Sequence, residues 1–209
     1  MRCTLPEGVD WEGSKVSLAV DNIFREWVDS ESTRGTQAVF LDLSVPKPNG
    51  GWTVYTEMRD KLIAKGVPAD EIAFMQFAET DRARLGLFQK LQSGVVRIVF
   101  GSTERLGTGA NIQNRLVAMH HMDVPWRPSD LEQRDGRGIR HGNMNEEVAI
   151  YRYVTESSFD AYMWVRRESR LFDCVAWVRA LDRTCASVRS SLVGHASSAT
   201  ALCEAPMTT

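Results

Sequence analysis

The feature that most limits how this chain can fold is the regular alternation of short apolar runs with longer amphipathic segments. The apolar runs have the length and composition of buried strands, and they fall at 37–43, 72–75, 95–100, 116–122 and 148–154. Apolar residues at helical spacing predict helices at 15–28, 52–64, 82–92 and 158–180. Strands that alternate with helices favour a mostly parallel sheet with helices on both faces. The predicted fold class is therefore an α/β three-layer sandwich.

Composition excludes several classes of protein. The 209 residues carry a formal net charge of −2, so no overall positive field would attract nucleic acid and any such contact needs a local patch. No apolar run approaches the roughly 20 residues of a membrane span. The four cysteines lack C-x-x-C spacing, and they are Cys3, Cys174, Cys185 and Cys203. We therefore expect a cytoplasmic protein without a structural metal site.

Three arginines and two glycines crowd into the eight residues 133–140. Ser129 and Glu132, just before them, have the spacing of a capping box, which predicts that a short helix begins at Ser129. Gly136 and Gly138 each cost about 1 kcal/mol relative to alanine inside a helix. The sequence therefore predicts that this helix ends near the two glycines.

Arg137 and Arg140 are then expected at the end of that helix or just beyond it. A guanidinium group can pair two oxygens of one anion at once, which suits a phosphate or carboxylate ligand. Arginine also favours the carboxyl ends of helices, where it offsets the partial negative charge of the helix dipole. The residues alone leave both interpretations open: an anion site or a solvated basic helix end.

A turn rich in glycine and threonine follows the predicted strand at 95–100. It covers residues 102–112 and includes Gly107 and Gly109. Open α/β sheets bind their ligands at the carboxyl ends of the strands, which is where this turn would lie. The alternative is that its glycines only permit a tight turn.

The order of these segments resembles motifs V and VI in the second, C-terminal RecA-like lobe of superfamily-two helicases and translocases. Five residues match the fixed positions of motif VI: Gln133, Arg134, Gly136, Arg137 and Arg140. The D-x-P-W-x-P run at 123–128 resembles the Swi/Snf-type branch, although that branch usually has glutamine where this chain has Asn143. The resemblance covers about residues 13–163. Helicases of this kind occur in phage and mobile-element proteins, sometimes fused to methyltransferases.

The resemblance implies a RecA-like fold and a role for each segment. Arg137 and Arg140 would be catalytic, and Arg140 is the better candidate for an arginine finger that reaches ATP. The residues implied in nucleotide binding are Gln133, Gly107, Gly109 and Asn111. The residues implied in nucleic-acid binding are Ser102, Thr103, Arg105 and Trp126. For Trp126 we favour the alternative that the ring packs to fix the start of the next helix.

No phosphate loop of the form G-x-x-x-x-G-K-[ST] occurs in the sequence. ATP and Mg²⁺ would then be bound mainly by a first, N-terminal RecA-like lobe on the same polypeptide or on a partner, and this chain alone is expected to be inactive. The other expected partner is the DNA backbone. The alternatives are a non-catalytic remnant or nucleic-acid-binding module of the same fold, or an unrelated α/β enzyme whose glycine-rich loop binds another phosphate ligand.

Two histidines, His120 and His121, are neighbours on a predicted strand. Successive side chains of a strand point to opposite faces, so these two rings cannot hold one metal ion together. Neither histidine is therefore expected to be a metal ligand.

Periodicity and resemblance together divide the chain into four parts. Residues 1–13 are a lead-in or linker, 14–164 the helicase C-terminal domain, 165–182 a trailing helix and 183–209 a tail predicted to be largely disordered. The tail departs from the family, in which a charged helix is expected. A linker and a shifted reading frame both explain that departure.

Overall fold

The computed structural model describes residues 14–46, 51–107, 112–125, 127–138, 142–145, 147–155, 163 and 199–208. Its strands are β1 Thr36–Phe40, β2 Ile72–Phe74, β3 Ile98–Gly101, β4 Leu116–His121, β5 Glu147–Thr155 and β6 Ala199–Thr208. Its helices are α1 Lys15–Asp29, α2 Val54–Ala64, α3 Asp81–Ser93, α4 Thr103–Gly107 and α5 Pro128–Gly138. The five strands predicted from the apolar runs are all present.

The strands form one sheet in the order β2-β3-β1-β4-β5-β6. The first five of these strands are parallel, and β6 runs antiparallel to β5 at the edge. Parallel neighbours need crossover connections, and the helices that make these connections cover both faces of the sheet. The predicted α/β sandwich with a mostly parallel sheet is confirmed.

Alternate residues of each strand enter one of two apolar cores, as the pleat of a strand requires. The core beneath α1 and α2 takes from the strands Val39, Ile72, Phe74, Ile98, Phe100, Ala118, Tyr151 and Tyr153. The core on the opposite face, beneath α3 and α4, takes Ala38, Phe40, Val99, Leu116, Met119, Val148 and Ile150. Because both faces are buried, the strands read as continuous apolar runs rather than as alternating ones.

Three helices begin where a side-chain oxygen can accept a main-chain hydrogen bond. Ser14 accepts from the N–H of Ser17 at 3.1 Å before α1, and Thr53 forms a reciprocal capping box before α2. Thr80 caps α3. That helix ends at Gly94, whose φ of +74° lies in the left-handed region that glycine adopts without strain. The predicted caps at Ser14 and Thr80 are confirmed.

The start and the end of α5 differ from the prediction. The helix begins at Pro128 rather than being capped by Ser129, since proline suits the first helical turn, where its missing N–H is not needed. It also continues through Gly136 to Gly138. Gly138 is buried, and a Cβ there would lie 2.6 Å from Sδ of Met119. Close packing of the helix on β4 therefore favours glycine at Gly138 and offsets its poor helix propensity.

The last strand, β6, lies within the segment predicted to be a disordered tail. Its backbone pairs with β5, with a register irregularity between Val148 and Ile150. An open sheet edge presents unpaired N–H and C=O groups, so a segment with little periodicity of its own can still pair there. The predicted trailing helix at 165–182 lies outside the described residues, as does the lead-in at 1–13.

A buried polar cluster closes the amino ends of the strands. Arg97, directly before β3, is fully buried and donates through Nε to the carbonyl of Gly35 at 3.1 Å. Its terminal nitrogens donate to Glu31 and to the carbonyl of Trp27, whose ring centroid lies 5.1 Å from the guanidinium. Glu71 lies 3.9 Å away. We call these five residues the amino-end cluster.

A second buried polar group ties the sheet to α1. Fully buried His120 contacts Tyr153 Oη through Nδ1 at 2.8 Å and Gln37 Oε1 through Nε2 at 3.0 Å. The Gln37 amide in turn donates to the carbonyl of Ile23 in α1 at 3.0 Å. Burial lowers the pKa of His120 to about 3, so this ring is neutral at physiological pH.

Within the described part of the chain, no helix is long and apolar enough to cross a membrane.

Candidate functional site

A cleft of about 780 Å³ opens at the carboxyl ends of β1, β2 and β3, beside the start of α5. We call it the carboxyl-end cleft. It is lined by Asp42, Val45, Pro46, Gln76, Phe77, Glu79, Ser102, Thr103, Glu104, Arg105, Asp130 and Gln133. Parallel α/β sheets bind ligands at this edge, so the cleft is the candidate functional site.

Arg134 is the central side chain behind this cleft, and it is fully buried. Its Nε donates to Oγ1 of Thr103 at 2.8 Å, Nη2 to Oδ2 of Asp42 at 2.7 Å, and Nη1 to the carbonyl of Asp123 at 3.1 Å. The guanidinium lies 5.2 Å from the ring centroid of Phe40. One side chain of α5 thus contacts the residues that follow β1, β3 and β4. We call Arg134, Asp42, Thr103 and Asp123 the carboxyl-end cluster.

Asp123 completes the cluster by fixing the end of β1. Its Oδ2 accepts from the main-chain N–H groups of Asp42 and Leu43, the latter at 2.9 Å, and its Oδ1 lies 3.2 Å from Nη2 of Arg134. Burial raises the pKa of Asp123, and the adjacent Arg134 opposes that rise. A buried carboxylate with this many donors makes the end of β1 a rigid wall of the cleft.

Thr103, which the sequence analysis assigns to nucleic-acid binding, is engaged inside the fold. Its hydroxyl donates to Asp42 Oδ2 at 2.7 Å while it accepts from Arg134, and its main-chain N–H donates to Asp42 Oδ1 at 2.6 Å. The half-buried neighbours Ser102 and Arg105 line the cleft directly. All three residues line the cleft, and the hydrogen bonds of Thr103 give it a positioning role as well.

The polar contacts continue on the same face through His121. Its ring stacks on Phe40, with centroids 5.4 Å apart, and Nε2 lies 2.9 Å from Asp135 Oδ1. Burial lowers the pKa of His121, although Asp135 opposes the effect. Burial pushes the pKa of Asp135 upwards, but His121 and Arg152 outweigh it and the net shift is downwards. His121 and His120 thus lie on opposite faces of β4, as predicted.

Acceptors dominate the lining of the cleft. Four of its side chains are carboxylates: Asp42, Glu79, Glu104 and Asp130. The charge of Asp42 is met by Arg134, and Arg105 is the one basic side chain among the described lining residues. Carboxylates repel phosphate groups, so this part of the lining does not fit the triphosphate of ATP by itself. Within the described residues, no group of three or more His, Cys, Asp or Glu side chains could hold a metal ion.

Only some of the residues predicted for the site fall within the described structure. Exposed Gln133 lines the cleft with Ser102, Thr103 and Arg105, and Gly107 ends α4. The others lie outside the described residues, and they are Gly109, Asn111, Trp126, Arg140 and the side chain of Arg137.

Sequence reasoning missed Gln76 and Phe77, which lie in the short 3₁₀ turn Met75–Phe77 directly after β2. Both side chains line the cleft. In the sequence they directly follow the apolar run at 72–75, and nothing in their spacing marks them as site residues. They reach the cleft only because β2 pairs with β3 in parallel, which places the carboxyl ends of the two strands side by side.

Residues 52–142, somewhat under half of the chain, match the sequence profile of the helicase conserved C-terminal domain. The matched region runs from the start of α2 to beyond α5 and contains the whole carboxyl-end cluster except Asp42. The predicted resemblance to a helicase C-terminal domain is confirmed over these residues.

Two solved structures show the same fold. The C-terminal part of the Fun30 ATPase domain superposes with a TM-score of 0.54 and 18% identity, over 76% of this chain and 47% of that one. The DUF1998 helicase MrfA, bound to DNA and AMPPNP, gives a TM-score of 0.52 and 16% identity, over 81% of this chain and 21% of that one. The RecA-like architecture is thereby confirmed.

One curated relative comes from a phage. Defense against restriction protein B of Escherichia phage P1 is 29% identical over 110 residues, which are 51% of this chain and 5% of that protein. The chain therefore spans a small part of the length of the relatives it matches.

Proposed function

We propose that this chain is the second motor lobe of an ATP-dependent DNA helicase or translocase of the Swi/Snf-type branch. It would work with a first RecA-like lobe, supplied in cis or in trans, that binds most of the ATP and Mg²⁺. The observation that carries the proposal is the burial of Arg134, which fixes the motif VI helix α5 to Asp42, Thr103 and Asp123 at the ligand-binding edge of the sheet.

Arg137 and Arg140 follow Arg134 on the same segment of chain. When the lobes close, these two arginines would approach the terminal phosphate of ATP, with Arg140 as the finger. ATP supplies a phosphoryl group whose transfer is accelerated mainly by positioning and by neutralising its charge. Arg134 supports such an arrangement because a helix anchored by five nitrogen–oxygen contacts cannot shift without breaking buried bonds.

On the nucleic-acid side, Ser102 and Arg105 would contact backbone phosphates, which carry no sequence information. Such contacts suit a motor that meets a different base at every step. The hydroxyl of Thr103 lies between Asp42 and Arg134 and directly follows Ser102 in the chain. The same buried cluster would therefore connect the turn that touches nucleic acid with the helix that carries the arginines.

The remaining assignments belong to the same proposal. Gln133, which is exposed at the cleft, would support nucleotide contact together with Gly107, Gly109 and Asn111. Trp126 would either stack on a base or fix the entry to α5, and we favour the packing role.

The proposal is tested by joining the chain to a matching first lobe and measuring DNA-stimulated ATP hydrolysis. We expect Arg140→Ala to lower the turnover by about 10³-fold or more, since an arginine finger contributes on that order. Arg82→Ala is the matched control, because Arg82 is exposed on α3 and does not line the cleft. It should leave turnover unchanged.

Two results would contradict the proposal. Equal turnover of Arg140→Ala and Arg82→Ala would remove the finger assignment. Salt-sensitive DNA binding by the chain, without any gain of ATP hydrolysis when a first lobe is joined, would instead favour a non-catalytic nucleic-acid-binding module.

A further inference from the structure

The carboxyl-end cleft has a chemistry that a phosphate backbone alone does not explain. Its described side chains offer many hydrogen-bond acceptors, whereas Arg105 is their one cation. A phosphate needs donors and positive charge, but the exocyclic amine of a nucleobase needs acceptors. Carboxylate side chains accept hydrogen bonds from the amino group of cytosine in this way.

Phe77 gives the cleft an exposed aromatic wall. Phe77 is 62% exposed and lines the cleft, although phenylalanine is among the residue types most often buried. The ring is nevertheless held, since buried Phe74 lies against it with centroids 5.7 Å apart. An exposed aromatic ring that is held by a buried neighbour is a surface on which an unstacked base can stack.

Gln76, next to Phe77, leaves an acceptor unused in the same wall. Tyr55 Oη donates its single hydrogen to the carbonyl of Leu41, so it must accept from Nε2 of Gln76, at 3.0 Å. This fixes the orientation of the amide and leaves Oε1 as the free group. Among the described residues, no donor reaches that oxygen, which lies buried behind the surface of the cleft. Because the oxygen is buried, a ligand donor would reach it only after the Gln76 side chain moves outwards, and an unpaired buried acceptor favours such a movement.

We propose that the carboxyl-end cleft takes one unstacked nucleobase bearing an exocyclic amine, with its ring on Phe77, its amine toward the acceptors and its strand passing Arg105. This inference rests on the proposed function, because it names which part of the nucleic acid enters the site. It narrows the substrate from any nucleic-acid backbone to a strand with at least one accessible base.

An adenine, cytosine or guanine ring could come from a nucleic-acid strand or from a free nucleotide. Phe77 lies on the turn after β2, and the same cleft is lined by Ser102, which directly follows β3, and by Arg105 in α4. The strand is therefore the source that the proposal favours. Free ATP and AMP serve as the second arm of the test.

The experiment measures fluorescence anisotropy of the full chain with labelled 12-nucleotide single strands at low salt. The strands are oligo-dC, oligo-dT and a strand of the same length with abasic sites. We expect the chain to prefer oligo-dC over oligo-dT and to bind either more tightly than the abasic strand. Stacking of one base contributes about 1–3 kcal/mol, so Phe77→Ala should weaken oligo-dC binding about fivefold or more.

Leu85→Ala is the matched control, because Leu85 is also 62% exposed but lies on α3 outside the cleft. It should leave every affinity unchanged, while Phe77→Trp should retain the binding of oligo-dC. The double variant Glu79→Gln with Asp130→Asn should reduce the preference for oligo-dC over oligo-dT without abolishing stacking. Thermal unfolding by circular dichroism checks that each variant is folded.

Each other result overturns the inference. If Arg105→Ala weakens binding but Phe77→Ala and the abasic strand do not, the backbone contact stands and the base site is wrong. If free AMP binds at Phe77 with the affinity of the strand, the base belongs to a nucleotide. If Phe77→Ala affects only association with a first lobe, the ring is a protein contact. If no strand binds at all, the proposed nucleic-acid contact falls as well.

Discussion

Two arginines are fully buried at opposite ends of the same sheet, and they differ in the residues that they contact. Arg97 closes the amino ends of the strands, and Arg134 closes the carboxyl ends. Each guanidinium lies over an aromatic ring, at 5.1 Å from the Trp27 centroid and 5.2 Å from that of Phe40. Arg97 contacts α1 and the start of β1, away from the cleft. Arg134 instead donates a hydrogen bond to Asp42, which lines the carboxyl-end cleft.

The comparison shows that burial and hydrogen bonding do not by themselves separate a structural arginine from one that supports a site. The chemistry of the two side chains is nearly the same. Their partners differ, because the carboxyl ends of parallel strands are also the edge at which ligands bind. Arg134 is therefore best described as a positioning residue that joins the core to the cleft.

The sharpest test of this difference replaces each arginine by methionine, which has similar length and no charge. Either change leaves buried acceptors without a cation and should lower the free energy of unfolding by about 3–5 kcal/mol, measured by urea denaturation. At a temperature where both variants are folded, and joined to a first lobe, only Arg134→Met should lose DNA-stimulated ATP hydrolysis. Loss of hydrolysis in Arg97→Met as well would show that the two clusters are equivalent.

Acid is expected to destabilise the fold through the buried side chain of His120. The amino-end cluster contains no histidine. The pKa of His120 is about 3 in the folded chain, chiefly through burial and then through His121 and Arg25, against about 6.5 when unfolded. The unfolded state therefore binds more protons between these values, and stability falls as the pH drops below about 6.5. Between pH 7 and pH 5 this loss should be about 2 kcal/mol.

The measurement is urea denaturation of the wild type and of His120→Gln at several pH values. In His120→Gln the free energy of unfolding should fall by about 2 kcal/mol less between pH 7 and pH 5 than in the wild type. In Arg97→Met it should fall as much as in the wild type. A decline that is equal in His120→Gln and the wild type would contradict the assignment.

The two glycines of α5 give the smallest effects, with opposite signs. Gly138→Ala would place a Cβ 2.6 Å from Sδ of the buried Met119, so the helix or that side chain must move. It should destabilise the chain by about 1 kcal/mol. Gly136 faces open space, and Gly136→Ala should stabilise the helix by about 0.5–1 kcal/mol. Thermal unfolding of the two variants measures both effects. A gain of stability in Gly138→Ala would contradict the tight packing of α5 on β4.

Much of the fold could be predicted because patterns of residues close together in sequence indicate its strands and helices. The strands were visible as apolar runs, since a sheet covered on both faces needs apolar side chains at every position. Ser14 and Thr80 marked helix starts because their oxygens satisfy main-chain donors nearby in sequence. The start of α5 was wrong by one residue, since Pro128 and the Ser129–Glu132 spacing gave competing signals.

The site was predicted less completely, for a related reason. Motif matching assigned Thr103 to nucleic-acid binding but gave no sign that its hydroxyl also bonds to Asp42, which lies 61 positions earlier in the chain. Phe77 and Gln76 carried no signal, because an aromatic residue beside a strand is usually part of the core. The strand β6 carried no sequence signal either, since it forms by pairing with β5 at the edge of the sheet.

By itself the sequence determined the five parallel strands, the helices α1, α2 and α3, the mostly parallel sheet and the likeness to a helicase C-terminal lobe. These properties depend on the periodicity of apolar residues and on short motifs, which are local. Only the tertiary structure decided that Arg134 is a buried anchor, that Asp42 and Asp123 are its partners, and that Phe77 faces the cleft. The physical reason is that parallel strands bring together residues far apart in sequence, and burial and pairing exist only once those strands are assembled.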